Sequence, residues 1–143
     1  MVYIFRGKII NREEKNRQTR RRIMDSALGE FAQKGYGASS VNTICAAGNL
    51  SKGILYHYFR TKDELYLSCV EECFEELTHT LRHALTAAES RTIEEQLECY
   101  FSSRVAFFKA HPVYQSIFCE AVISPPVLPM KNFRYVKKTA GRH

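Results

Sequence analysis

The sequence predicts an all-α fold, and three observations carry that expectation. Apolar residues recur every three to four positions along most of the chain. Glycines and prolines are few, seven and four in 143 residues. Cap signals, a Ser or Thr just ahead of an apolar run, stand at Ser40, Ser51, Thr61 and Thr92. Alternating strand patterns are almost absent.

The elements follow in order. Ile23, Ala27, Leu28, Phe31 and Ala32 set a helical period from Arg12 to Lys34, which Gly35 stops, with Gly37 in the turn. Ser40 caps a short second helix, Val41 to Ala47, that turns Val41, Ile44 and Cys45 inward. Gly48 ends it, and Leu50 is expected to plug the core. Ser51 caps a third helix to about Phe59. Thr61-Lys-Asp-Glu64 is a T-x-x-E capping box and opens a helix to about Ala88. At 1.5 Å per residue that helix runs about 40 Å, enough to tie two lobes together. A second box, Thr92 to Glu95, starts a fifth helix that ends at His111-Pro112. Val113 to Ile123 reads as a sixth helix, ended by Ser124-Pro125-Pro126. The basic stretch from Met130 to His143 is expected to be a loop or a frayed short helix.

Composition narrows the function classes. Hydrophobic residues are 45% and charged residues 25%, as in ordinary globular proteins. No apolar run approaches the roughly 18 residues of a membrane helix. The opening MVYIFRGKII has no long apolar core or small-residue cleavage site. A cytoplasmic protein with five free thiols, no metal and no cofactor is expected. Net charge is +6 and unevenly spread. Residues 1–62 carry twelve basic and four acidic side chains; residues 63–143 carry nine and eleven. A basic first domain, 1–62, followed by a near-neutral helical domain, 63–143, points to a polyanionic partner for the first.

The stretch LSKGILYHYFRTKDEL, Leu50 to Leu65, mixes rings, bases and glycine on one short segment. With the helix before it, it has the dimensions of a helix-turn-helix. Ala47 is expected to be small where two helices cross, and Gly48 to take the left-handed turn conformation. Leu50, Ile54, Leu55 and Phe59 are read as a buried seam. Lys52, Gly53, Tyr56 and His57 remain for the outer face, with Tyr58 at its margin. Gly53 lets a partner approach the backbone, Tyr and His donate to phosphate oxygens, and Lys62 adds a point charge.

Val41 to Leu65, VNTICAAGNLSKGILYHYFRTKDEL, resembles the DNA-binding signature of the TetR family of bacterial transcriptional repressors. The family pattern is roughly I-A-x-x-A-G-V-S-x-G-x-[LIF]-Y-x-[HY]-F followed by x-x-K-[DE]-x-L. Ile44, Ser51, Gly53, Leu55, Tyr56, Tyr58, Phe59, Lys62, Asp63 and Leu65 fit it, and Ala47 and Gly48 are read as its Ala-Gly pair. IMDSALGEFAQKGYGASSV upstream resembles the family's first helix and glycine turn. Cys45 replaces an alanine, small for small. Asn49 stands where a valine is common, so the turn is expected to hold one extra residue and to rotate the third helix slightly.

The resemblance implies a third helix in the major groove. Ser51, Lys52, Gly53, Tyr56, His57, Tyr58 and Lys62 are then DNA-facing, while Ser40 and the Arg20–Arg22 arm, with Arg20 and Arg21 as candidates, contact the backbone. Three consecutive arginines on a helix cannot all point one way. The resemblance also implies a C-terminal ligand pocket and a homodimer whose paired heads leave a near-palindromic operator when a small apolar effector binds. Phe74, Leu77, Tyr100, Phe101, Arg104, Phe107, Phe108, Tyr114 and Phe118 are the candidate lining, although rings at helical spacing also suit a plain core. Family members usually continue through further helices. The second domain is therefore expected to be shortened, with a basic tail over 124–143 and a dimer contact within Ile93 to Ile123. The alternative is a truncated helical binding module with only weak, sequence-blind DNA association. An enzyme is not expected, because nothing orients His111 toward Cys99 or Cys119 and no oxyanion loop accompanies them.

Overall fold

The structure is a computed structural model. It describes the backbone of residues 3–5 and 8–128 and the side chains of residues 11–128. Six helices account for nearly all of it: α1 (Arg12–Ala38), α2 (Val41–Gly48), α3 (Lys52–Tyr58), α4 (Lys62–Ala87), α5 (Ile93–Ala110) and α6 (Pro112–Ile123). The all-α expectation holds, with one addition. Two three-residue strands, β1 (Tyr3–Phe5) and β2 (Lys8–Ile10), pair antiparallel ahead of α1, Tyr3 opposite Ile10. Strands this short carry too little alternation to read from sequence. The tail expectation for 130–143 lies outside the described residues.

The capping residues Ser40, Ser51, Thr61 and Thr92 stand where the sequence placed them, Ser51 Oγ accepting from Ile54 at 3.1 Å and Thr61 Oγ1 from Glu64 at 3.0 Å. Asn11 is a further cap that the sequence reading did not name, its Oδ1 accepting from the Glu14 N–H at 2.9 Å. Each satisfies a donor that the first helical turn leaves without a partner. The Thr92–Glu95 box is complete, with both reciprocal bonds formed. The Thr61–Glu64 box is shifted: Glu64 Oε2 accepts from the Arg60 N–H at 3.1 Å, one residue ahead of the cap. Gly35 breaks α1 as expected, at φ 74°, ψ 171°, before a last turn reaches Ala38.

One buried cluster joins the first helices to the last. Ile23, Ala27, Leu28 and Phe31 of α1 pack with Ile44 and Cys45 of α2, Leu55 of α3 and Phe59. Leu65, Tyr66, Cys69 and Cys73 of α4 and Ile117 of α6 belong to the same cluster. The expected boundary near residue 62 is therefore one of sequence composition, and the apolar core runs across it. No helix among the described residues is long and apolar enough to cross a membrane.

Candidate nucleic-acid interface

The turn between α2 and α3 is built differently from the sequence expectation. Gly48 is helical, and Asn49 holds the left-handed conformation, φ 51°, ψ 53°. The Leu50 N–H donates to the Cys45 carbonyl at 2.9 Å and the Asn49 N–H to that of Ala46 at 3.3 Å. This pair of bonds is a Schellman closure, and asparagine is the side chain that best replaces glycine at its left-handed position. Leu50 then packs on the core, as a Schellman motif's hydrophobic residue does. Counted without a gap from Ile44 to Ser51, Gly48 stands at the pattern's alanine and Asn49 at its glycine. The turn holds no extra residue.

Gly48 has another duty. A Cβ there would lie 2.8 Å from Leu50 Cδ1 and 3.2 Å from Ser26 Cβ. The close crossing of α1 and α2 thus falls at Gly48, whereas Ala47, expected to occupy it, is exposed. Two further bonds hold the corner. Ser26 Oγ donates to the Ile44 carbonyl at 2.6 Å, and Arg22 Nη2 donates to the carbonyls of Gly48 and Asn49 at 3.2 and 2.9 Å.

The outer face of α3 is largely as read. Lys52, Gly53, Tyr56 and His57 are exposed, with Leu55 fully buried behind them and Phe59 buried beyond the helix end. Ile54 departs from the expected seam and is 44% exposed. It sits about 100° around the helix from Leu55, so the Leu55–Phe59 spacing could have placed it outside. It adds an apolar side chain to the face. Gly53 is in open space: a Cβ there would meet only Ser51 Oγ at 3.9 Å, an ordinary contact. Nothing among the described residues requires a glycine at that position.

The flanking candidates divide. Ser40 and Ser51 are N-caps, their oxygens accepting from Asn42 and Ile54. Tyr58 donates its hydroxyl to Asn16 Oδ1 at 3.0 Å, tying the end of α3 to the start of α1. Lys62 Nζ lies 4.4 Å from the centre of the Tyr36 ring. Arg20 stacks over Phe59 at 4.5 Å. Arg21 is engaged elsewhere, contrary to its expected place in the set. Its guanidinium makes a two-pronged bond to Glu72 of α4, at 2.9 and 3.1 Å, and a third to Asp25 at 2.8 Å. Hydrogen bonding to Glu72 raises its pKa further above an already high value. Tyr114 of α6 donates to the same Glu72 at 2.7 Å, so Glu72 joins α4 to α1 through Arg21 and to α6 through Tyr114.

The expected ligand pocket is not a standing void among the described residues. Its rings pack on one another: Phe74 and Phe108 lie 5.2 and 5.0 Å from Phe118, Phe107 lies 5.4 Å from Phe108 and 6.0 Å from Tyr114, and Tyr100 5.2 Å from Phe101. Arg104 covers Phe118 at 5.1 Å. Leu77 and Phe107 are buried, and Phe101 faces outward. Of the nine, Tyr114 edges a groove of about 420 Å³ between α1 and the α5–α6 corner, and Phe101 edges an open one of about 480 Å³ along α5. Rings at helical spacing have closed the space between α4, α5 and α6.

Residues 23–69 match the model of bacterial regulatory proteins of the tetR family. Over these residues the chain is of the TetR type. Its TetR-type segment is 36% identical over 53 residues to the biofilm operon icaADBC HTH-type negative transcriptional regulator IcaR of Staphylococcus epidermidis. That match covers 37% of this chain and 29% of the relative. A TetR family transcriptional regulator from Chloroflexus aurantiacus superposes with a TM-score of 0.67 at 26% identity, over 86% of this chain and 56% of that one. A TetR-like transcriptional regulator from Rhodococcus sp. RHA1 shares the fold, with a TM-score of 0.69 at 20% identity, over 85% and 62%. The chain thus spans less than two thirds of the proteins it resembles.

Proposed function

We propose that this chain is a TetR-family DNA-binding transcriptional regulator, acting as a repressor on a near-palindromic operator. The observation that carries the reading is Gly53. The fold leaves it open space, so its missing side chain serves an approach from outside, next to Lys52 and the first N–H groups of α3. Lys52 is assigned to phosphate, and Ile54, Tyr56 and His57 to the groove floor and sugar edge. Arg20, Ser40, Ser51, Tyr58 and Lys62 flank them. The IcaR resemblance supports repression, since that protein is a negative regulator by name.

Two heads bind a palindrome more tightly than one, through effective concentration. A second copy of this chain is assigned to the exposed stripe of α5, Ile93, Leu97, Phe101 and Val105, which are 72, 54, 59 and 54% exposed. The helix carries Glu94 and Glu95 in its first turn and Lys109 in its last, so two copies laid antiparallel pair unlike charges at both ends. A small apolar effector is the finer part of the proposal. Supporting it is the ring cluster between α4, α5 and α6, which such a ligand would have to open.

The test is fluorescence anisotropy with the near-palindromic duplex upstream of the protein's own coding region and a shuffled duplex, between about 50 and 200 mM salt. Preference for the palindrome with a steep salt dependence is expected. Equal binding to both duplexes would leave only sequence-blind association.

A further inference from the structure

The break in α1 is held by a residue from the far end of the fold. At Gly35 the chain turns left-handed, which frees the next backbone N–H, that of Tyr36. Both oxygens of the Glu120 carboxylate accept from it, at 3.0 and 3.1 Å. Glu120 lies on α6, 84 positions away, and is the one acidic residue after Glu98 in the sequence. A Cβ on Gly35 would sit 2.5 Å from Glu120 Oε2. The glycine thus provides both the backbone conformation and the room for the carboxylate.

Tyr36 carries the contact onward. Its hydroxyl donates to Asp63 at the start of α4, its ring lies under Lys62, and it stacks with Phe31 and meets Tyr66 edge-on. Ser39 Oγ donates back to the carbonyls of Glu30 and Gly35, closing the corner just before Ser40 caps α2. The path from α1 into the helix-turn-helix therefore runs through one node where α1, α4 and α6 meet.

We propose that Glu120 is a positioning residue: from α6 it latches the Gly35–Tyr36 break and so sets how the α2–α3 unit sits on α4. Displacement of α6 then reaches the α2–α3 unit through this carboxylate. The latch itself is independent of the DNA-binding reading; its consequence for affinity rests on that reading.

The test compares Glu120→Ala and Glu120→Gln with Ile117→Val, a core substitution in the same helix that lowers stability without touching the latch. Hydrogen exchange is read by amide, below the unfolding transition. In Glu120→Ala the Tyr36 amide is expected to exchange at least about tenfold faster, with faster exchange spreading into Ser40–Tyr58. Glu120→Gln, which keeps one acceptor oxygen, is expected to fall between it and the wild type. Ile117→Val is expected to leave these segments unchanged. On DNA, Glu120→Ala is expected to lose affinity while Ile117→Val retains it. Exchange in Glu120→Ala that is unchanged, or matched by Ile117→Val, would overturn the latch. Changed exchange with wild-type DNA affinity would overturn its positioning role. Wild-type protein that binds no duplex would instead sink the DNA-binding reading, with the latch still judged by exchange.

Discussion

Asn49 shows how much a single backbone angle decides. Its left-handed conformation costs most L-residues about 1–2 kcal/mol, and asparagine tolerates it through its short polar side chain. Asn49→Val is therefore expected to lower the free energy of unfolding by about 1–2 kcal/mol, and Asn49→Gly to leave it equal or higher. Urea unfolding of the two variants checks both signs. Gly48 behaves oppositely, since its constraint is space. Gly48→Ala forces Leu50 and Ser26 apart and is expected to destabilise despite alanine's better helix propensity. A stabilised Gly48→Ala would show that the α1–α2 crossing relaxes freely.

The helices carry predictions of their own. On α3, Lys52→Ala is expected to weaken binding to all duplexes alike and to reduce the log–log salt slope by about 1, the signature of one lost phosphate contact. Tyr56→Ala is expected instead to reduce the preference for the palindrome, visible as a smaller ratio between the two duplexes. On α5, Thr92→Ala removes the Oγ1 acceptor of a complete capping box, at a cost of about 1 kcal/mol in thermal unfolding. On α4, the thiols are ranked by burial. Cys69 is pushed far up by desolvation, and Cys73 up to about 11, by burial first and then by the Glu72 charge. Thiolate is the reactive form, so neither is expected to alkylate at neutral pH in the folded protein. Exposed Cys119 is expected to react first. Mass spectrometry after brief iodoacetamide treatment reads the order, and early labelling of Cys69 would mean that α4 opens from the core.

For the molecule as a whole, the question is what covers α5. Its stripe of four large apolar side chains is the kind of exposed surface that calls for a partner. Phe101→Glu is expected to shift the mass in solution from dimer to monomer in light scattering, and to weaken palindrome binding more than binding to a single half-site. A monomer already in the wild type would remove the second copy from the stripe. The buried cluster shared by α1, α4 and α6 puts both ends of the chain in one core, and the Glu120 carboxylate is the contact through which a substitution in α6 is expected to reach the helix-turn-helix.

Helix order, caps and the exposed face of α3 were legible in the residues alone, because they depend on neighbours within a turn or two. Ser40, Ser51, Thr61 and Thr92 each bond to a donor two or three positions ahead, and the Leu55–Phe59 spacing marks the inner face of its own segment. Contacts between distant segments were not legible. Arg21 looked like a phosphate ligand until α4 brought Glu72 to it, and Glu120 carried no visible role until α6 met the α1 break. The ring cluster was ambiguous for the same reason, since only the packing of α4, α5 and α6 fills its space. Local patterns reflect hydrogen bonds and periodicity within a helix, whereas the partner of a charged or aromatic side chain is chosen by how whole helices cross.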